Sequence, residues 1–184
     1  MISLLGLLRV APEDRTGYVR TLFRLWIDAD GDRCNTRKEV LLRDALTAPT
    51  ISGTCTLNGG SWFSVYDGLT FGDSSALDID HVVPLAEAWD SGANAWSADR
   101  RMRFANDLDV RYALLAVSAT TNRSKGDKDP ADWLPPRTSF TCTYLADWLG
   151  IKAGWDLALD PTEKASIAAH TECASTKIAV LLEP

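Results

Sequence analysis

Four cysteines, Cys34, Cys55, Cys142 and Cys173, constrain what this chain of 184 residues can become. No pair has CxxC spacing and neither histidine completes a zinc set, so zinc is not the expected partner. An even number at wide spacing suits two disulfides in an exported protein. Three pairings are open to four cysteines. The local ones, Cys34–Cys55 and Cys142–Cys173, are favoured, each closing a loop worth roughly 3–4 kcal/mol in the chain-entropy model. Two staples do not make a core, but the composition supplies one: 46% of residues are apolar and seven are Trp. A chain of this length can bury roughly 70% of its unfolded surface, and it is expected to form one domain over residues 1–184. No run reaches the ~18 apolar residues that a membrane span needs, so no membrane partner is expected. "MISLLGLLRV" is greasy, yet it has no basic leading region and no small-residue cleavage site. It reads as mature chain, with any export signal removed upstream.

Periodicity assigns the elements. In "TGYVRTLFRLWID", Val19, Leu22, Phe23 and Trp26 fall at helical spacing and predict an amphipathic helix over 16–27. "TRKEVLLRDAL" predicts a second helix, ending before Pro49. "GSWFSVYDGLTF", aromatic and β-branched between glycines, suits one or two short strands. "LDIDHVV" alternates Leu77 and Ile79 inward as a strand, "PLAEAWDSG" is a short helix stopped at Gly92, and "SADRRMRFANDL" is another helix. "YALLAVS" reads as a fully buried strand, and "TTNRSKGDKDPADWLPP" as helix or turn ending at paired prolines. "DPTEKASIAAHTEC" opens with a capping box, Asp160 as N-cap, Pro161 first and Glu163 third, and places His170 mid-helix on the surface. The expectation is an α+β fold with more helix than strand and helical flanks at 16–47 and 140–182.

A net charge of -6 speaks against gripping a polyanion by bulk attraction. Basic residues nevertheless gather between Arg100 and Lys128, as Arg100, Arg101, Arg103, Arg111, Arg123, Lys125 and Lys128, so a polyanion site is expected there. Near the front, "DADGDRCNTRKE" (28–39) sets Asp28, Asp30 and Asp32 at positions one, three and five and Glu39 at twelve. That is the ligand spacing of an EF-hand calcium loop. Against it, Arg33 stands at position six, where glycine makes the sharp turn, and Asn35 at position eight, usually apolar. The loop could hold a structural Ca²⁺, or bring Glu39 to a catalytic ion, or simply cap helix ends and pair with arginines.

"ALDIDHVVPLAEAWD" (76–90) carries one of only two histidines, His81, directly after Asp80. Hydrolysing a phosphodiester with one metal needs a cation on the phosphate and a base for water. An imidazole with an ordinary pKa near 6.5 suits the base, and carboxylate and carboxamide oxygens suit the metal. Neighbours on a strand point to opposite sides, so Asp80 and His81 would flank the scissile bond rather than chelate one ion together.

"DHVVPLAEAW", "FANDL" (104–108) and "TNRSKGDKDPADW" (121–133), taken together, resemble the His-Me finger (ββα-metal) nucleases. More closely they resemble the HNH-type secreted nucleases of Streptomyces and the related GmrSD-type C-terminal domains. The likeness extends to "DADGDRCNTRKEVL" and to the capped helix and cysteine at the back. It implies a ββα-metal core over about 77–133 with additional helices around it. It implies His81 as the base, Asp80 and Asn122 as metal ligands, and Asn106 as the residue fixing the loop that orients the base. Oxygen ligands in place of two histidines favour Mg²⁺ or Mn²⁺. Arg123 and Lys125 would hold or stabilise the phosphate, with Arg101 as a further phosphate contact and Lys125 in the catalytic group. The implied activity is an endonuclease on DNA, and on RNA as a second substrate, with little sequence preference because few residues suit base reading. Trp89, Trp96 or Trp133 could stack on bases, although each is more often core. The expected molecule is secreted and monomeric, with a protein inhibitor as a candidate partner. The competing reading is a non-enzymatic, calcium-stabilised secreted binding module built on 28–39.

Overall fold

The computed structural model describes residues 1–181. In chain order it forms helices α1 (Ile2–Leu7) and α2 (Thr36–Arg43), then strands β1 (Ala45–Thr47), β2 (Thr50–Ser52), β3 (Thr56–Asn58), β4 (Ser61–Phe63), β5 (Thr70–Phe71) and β6 (Leu77–His81). Helices α3 (Leu85–Asp90) and α4 (Ala98–Ala105) follow, then strand β7 (Leu114–Ser118) and helices α5 (Ala119–Lys125), α6 (Thr141–Gly154) and α7 (Pro161–Ala169). Residues 182–184, the last of the expected domain and its flank, lie outside the described residues.

The hairpin β6–β7 organises everything around the site. It is antiparallel, with Leu77 opposite Ser118 and His81 opposite Leu114. Alternation gives its two faces different neighbours. Leu77, Ile79, Leu114 and Ala116 join Val40, Leu41 and Trp62 in a small core. The other face receives α5, which starts where β7 stops because the Ser118 hydroxyl accepts the Thr121 N–H as its N-cap. A small sheet, in the order β1-β4-β5, and the separate β2–β3 pair stand beside this core. The larger core joins Phe23, Tyr66, Trp89, Phe104, Tyr144, Trp148 and Trp155.

Both local disulfides form, Cys34–Cys55 and Cys142–Cys173. The capping box at Asp160 is present with both reciprocal hydrogen bonds. His170, expected mid-helix, instead ends α7, and its Nδ1 lies 2.9 Å from Glu172.

One expected element is absent. Residues 16–27 hold only a 3-10 turn, Arg20–Leu22. Their apolar residues do not share a stripe: Phe23 enters the large core, Trp26 packs on the small one, and Val19 is 53% exposed. Tertiary bonds replace the helical ladder, for the Asn106 carboxamide accepts the Ile27 N–H and donates to the Arg24 carbonyl. Gly17 and Trp26 take positive φ, +76° and +54°, which a helix excludes. The segment is an extended strap laid across the molecule.

Candidate active site

His81 ends β6 on the face that carries Leu77 and Ile79, and it is buried. Its Nε2 lies 2.9 Å from the carbonyl of Ala105, the last residue of α4. A carbonyl can only accept, so Nε2 carries the hydrogen and Nδ1 keeps the lone pair. Trp26 lies against the ring, centroids 5.8 Å apart. Burial pushes the imidazole pKa down to about 4, and the charges of Arg20 and Lys125 push the same way. The ring is therefore neutral at physiological pH, which is the form a general base needs.

Asp80, on the other face, is also buried. Lys125 Nζ lies 2.8 and 2.7 Å from its two oxygens and also donates to the His81 carbonyl at 2.8 Å. The Tyr66 hydroxyl donates to Oδ2 at 2.5 Å. Burial raises the Asp80 carboxyl and lowers the Lys125 ammonium, while their mutual contact opposes both shifts. Lys125 is fully buried, so it is a counter-ion beneath the strand rather than a solvent-facing phosphate contact.

Helix α5 brings Asn122 and Arg123 over Asp78. The Asn122 Nδ2 donates to Asp78 Oδ2 at 3.4 Å, which leaves its carboxamide oxygen for another partner, and Arg123 Nε lies 3.3 Å from the same carboxylate oxygen. Together Asp80, His81, Asn122 and Arg123 line a cavity of about 220 Å³, closed further by Arg20, Pro84 and Asp127. The structure thus gathers residues separated by 41 positions in sequence, a gap covered by the β6–β7 pairing and the helix that follows.

Three other expected site residues stand elsewhere. Asn106 makes no hydrogen bond to His81. It ends α4, accepts from Ile27 N–H and the Thr36 hydroxyl, and donates to the Arg24 and Met102 carbonyls. Its neighbour Ala105 makes the contact to the imidazole. Arg101 faces the carbonyls of Trp96, Ala93 and Leu22, so it braces α4 and is not a cavity residue. Glu39 lines a separate hollow with Asp30 and Asn106, and burial, then Asp32, Asp30 and Asp28, raise its pKa. In that loop the oxygens of Asp28, Asp30 and Asp32 lie within 4.8 Å of one another. Backbone donors already reach them: Gly31 and Arg33 bond Asp28, and Cys34 bonds Asp32. Asn35, the misfit at position eight, caps α2 by accepting from the Lys38 N–H. The tryptophans considered for stacking pack inward. Trp89 belongs to the core, Trp96 lies against Phe104 and Trp155, and Trp133 lies against Tyr66 and Tyr144.

Arg20, Trp26 and Tyr66 were not readable as site residues. A helix over 16–27 would have sent Arg20 to an arbitrary face, and "SVYDG" carries no signal linking its Tyr to Asp80.

The fold and the cavity define a disulfide-stapled α+β protein that presents an imidazole, a carboxamide and two arginine side chains in one cavity. The chain belongs to the family described as GmrSD restriction endonucleases, C-terminal domain, whose model matches residues 30–169. It is also 45% identical, over 166 residues covering 90% of this chain and 80% of the relative, to an "Uncharacterized secreted protein" of Arthroderma benhamiae. No solved structure matches it.

Proposed function

We propose that this protein is an exported, divalent-metal-dependent endonuclease. It hydrolyses phosphodiester bonds of DNA, and of RNA as a second substrate, with little sequence preference. The observation that carries the reading is His81, a buried imidazole with one nitrogen tied to a backbone carbonyl, in a cavity shared with Asn122 and Arg123. The family match supports a nuclease, while the disulfides and the secreted relative support export. In this reading β6, β7 and α5 are a ββα-metal (His-Me finger) core of the HNH type.

The donor set fits a hard cation. An ionised carboxylate offers about four acceptor sites. Lys125 and Tyr66 occupy one on Oδ1 and two on Oδ2 of Asp80, which leaves one on Oδ1 of a residue that lines the cavity. Asp80 and the Asn122 oxygen would hold Mg²⁺ or Mn²⁺, which neutralises phosphate charge and stabilises the leaving oxygen when bound. His81 Nδ1 takes a proton from water as the water oxygen attacks phosphorus, and the bond from phosphorus to the leaving sugar oxygen breaks. Arg123 binds the non-bridging oxygens. Lys125 and Tyr66 keep Asp80 anionic and in place.

Plasmid cleavage tests this. Wild-type protein should cut in Mg²⁺ or Mn²⁺ and stop in EDTA. His81→Ala should stay folded and lose about 10²–10⁴-fold in rate. Undiminished cleavage by that variant would remove the imidazole from the reaction.

A second reading rests on 28–39, where three carboxylates converge and Arg33 adopts the left-handed turn, φ +80°, that an EF-hand loop needs at that position. There the loop is a structural Ca²⁺ site of a binding module. Calorimetry with Ca²⁺ and a cleavage assay on one sample separate the two: tight binding without cleavage favours the module.

A further inference from the structure

Two arginines reach the cavity around His81 from different parts of the fold. Arg123 comes from α5 and leans on Asp78 at 3.3 Å. Arg20 comes from the strap, where it opens the 3-10 turn. Its side chain is exposed, and among the described residues no carboxylate forms an ion pair with it. The backbone that carries it is fixed. The Phe23 N–H closes the turn onto the Arg20 carbonyl at 3.1 Å, and Phe23 is buried against Trp89 and Phe104. Farther along, Asn106 holds Arg24 and Ile27, and Trp26 rests on the His81 ring.

Charge in the cavity walls shows what Arg20 adds. Asp80 is matched by Lys125 beneath it. Arg123 is met by Asp78 at 3.3 Å and Asp127 by Arg15 at 3.8 Å, which leaves Arg20 as the arginine of the walls without an ion pair among the described residues. Without Arg20 the side chains of the walls would be balanced, and the protein itself would offer an incoming phosphate no unpaired positive charge. With it, an anion is favoured, and a guanidinium can take two phosphate oxygens at once.

We propose that Arg20 is a substrate-contacting residue, binding a phosphate of the nucleic-acid backbone from the strap while Arg123 binds from α5. This rests on the nuclease reading above. The anchored backbone means that only the Arg20 side chain, and not the strap, has to order when substrate arrives. The strap is thereby part of the active site, although the hairpin and α5 carry the base and the carboxamide.

The test compares Arg20→Ala, Arg20→Lys and Arg24→Ala with wild type. Arg24 is the control: it is exposed, carries the same charge on the same strap, and is absent from the cavity walls. Fluorescence anisotropy with a labelled DNA duplex in EDTA reads affinity without turnover, and cleavage in Mg²⁺ reads rate. Arg20→Ala should weaken binding about 10–100-fold, the scale of a lost charged hydrogen bond, and lower the salt slope by about one. Arg24→Ala should change affinity by less than about 3-fold, as an exposed charge not in contact would. Arg20→Lys should recover part of the loss, charge without the planar fork. Equal effects from Arg20→Ala and Arg24→Ala, or no effect from either, would overturn the proposal while wild-type cleavage keeps the nuclease reading. A wild-type protein that neither binds nor cuts DNA removes both.

Discussion

Asp147, on α6, shows how one side chain can tune this protein against acidity. Burial alone raises its pKa from 3.8 to about 7. In the unfolded chain the carboxyl ionises near 3.8, and in the folded one only near 7. Between those values the folded state holds the extra proton, so stability falls as pH rises through the window and the cost is complete above about 7. Asp147→Asn cannot ionise. It should match wild type near pH 4 and exceed it by about 1–2 kcal/mol at pH 8, after discounting for the partial exposure of the site. Urea midpoints at both pH values check this, and a gain that is the same at both would refute the cause. Other residues show what sequence could convey. His81 and Asn122 came from the likeness of "DHVVPLAEAW" and "TNRSKGDKDPADW" to a nuclease motif, and the structure brings both to one cavity. Lys125 was readable as a cation but not as a buried one, and Arg101 as basic but not as aimed at carbonyls. Exposure and direction are set by packing, which no single position encodes.

The elements that matter most are the β6–β7 hairpin, α5 and the strap. The two strands were visible in the sequence, through the alternation at Leu77 and Ile79 and the apolar run at 114–117, whereas "TTNRSKGDKDPADWLPP" reads equally as helix or turn and α5 occupies its start. The strap was not. Its apolar spacing mimics a helix, and a carboxamide about eighty residues away in sequence supplies the bonds that keep it extended. Asn106 therefore holds three segments at once, the end of α4, the strap at 24–27 and the start of α2 through Thr36. Asn106→Ala would leave the Ile27 N–H and the Arg24 carbonyl without this partner, while Thr36 keeps the Ile27 carbonyl, at a cost of about 2–4 kcal/mol. Because the same helix end orients His81 through Ala105, the variant should also lose cleavage rate more than DNA affinity. Thermal denaturation and a split of kcat from KM measure the two effects. Unchanged kcat in a destabilised variant would make Asn106 a purely structural residue.

Across the whole molecule, one buried ammonium joins three helices. Lys152 on α6 lies 2.6 Å from Glu87 of α3 and 2.7 Å from Glu163 of α7, and it also donates to Ser91 and the Ala158 carbonyl. Burial raises Glu163 to about 7, opposed by Lys152. Lys152→Met should cost about 3–5 kcal/mol by leaving two buried carboxylates without their cation. The deficit should shrink in acid, where those carboxylates take up protons, and denaturation at pH 5 and pH 8 reads it. A deficit independent of pH would count against the charge argument. The covalent framework is arranged differently from this hub. One disulfide closes the chain between Cys34 and Cys55 and the other between Cys142 and Cys173, so neither ring encloses the stretch from Leu77 to Lys125. The β6–β7 hairpin is an unlinked island between two closed circuits. A reductant would slacken the shores on either side, while the spacing of imidazole, carboxamide and guanidinium is left to hydrogen bonds and packing alone.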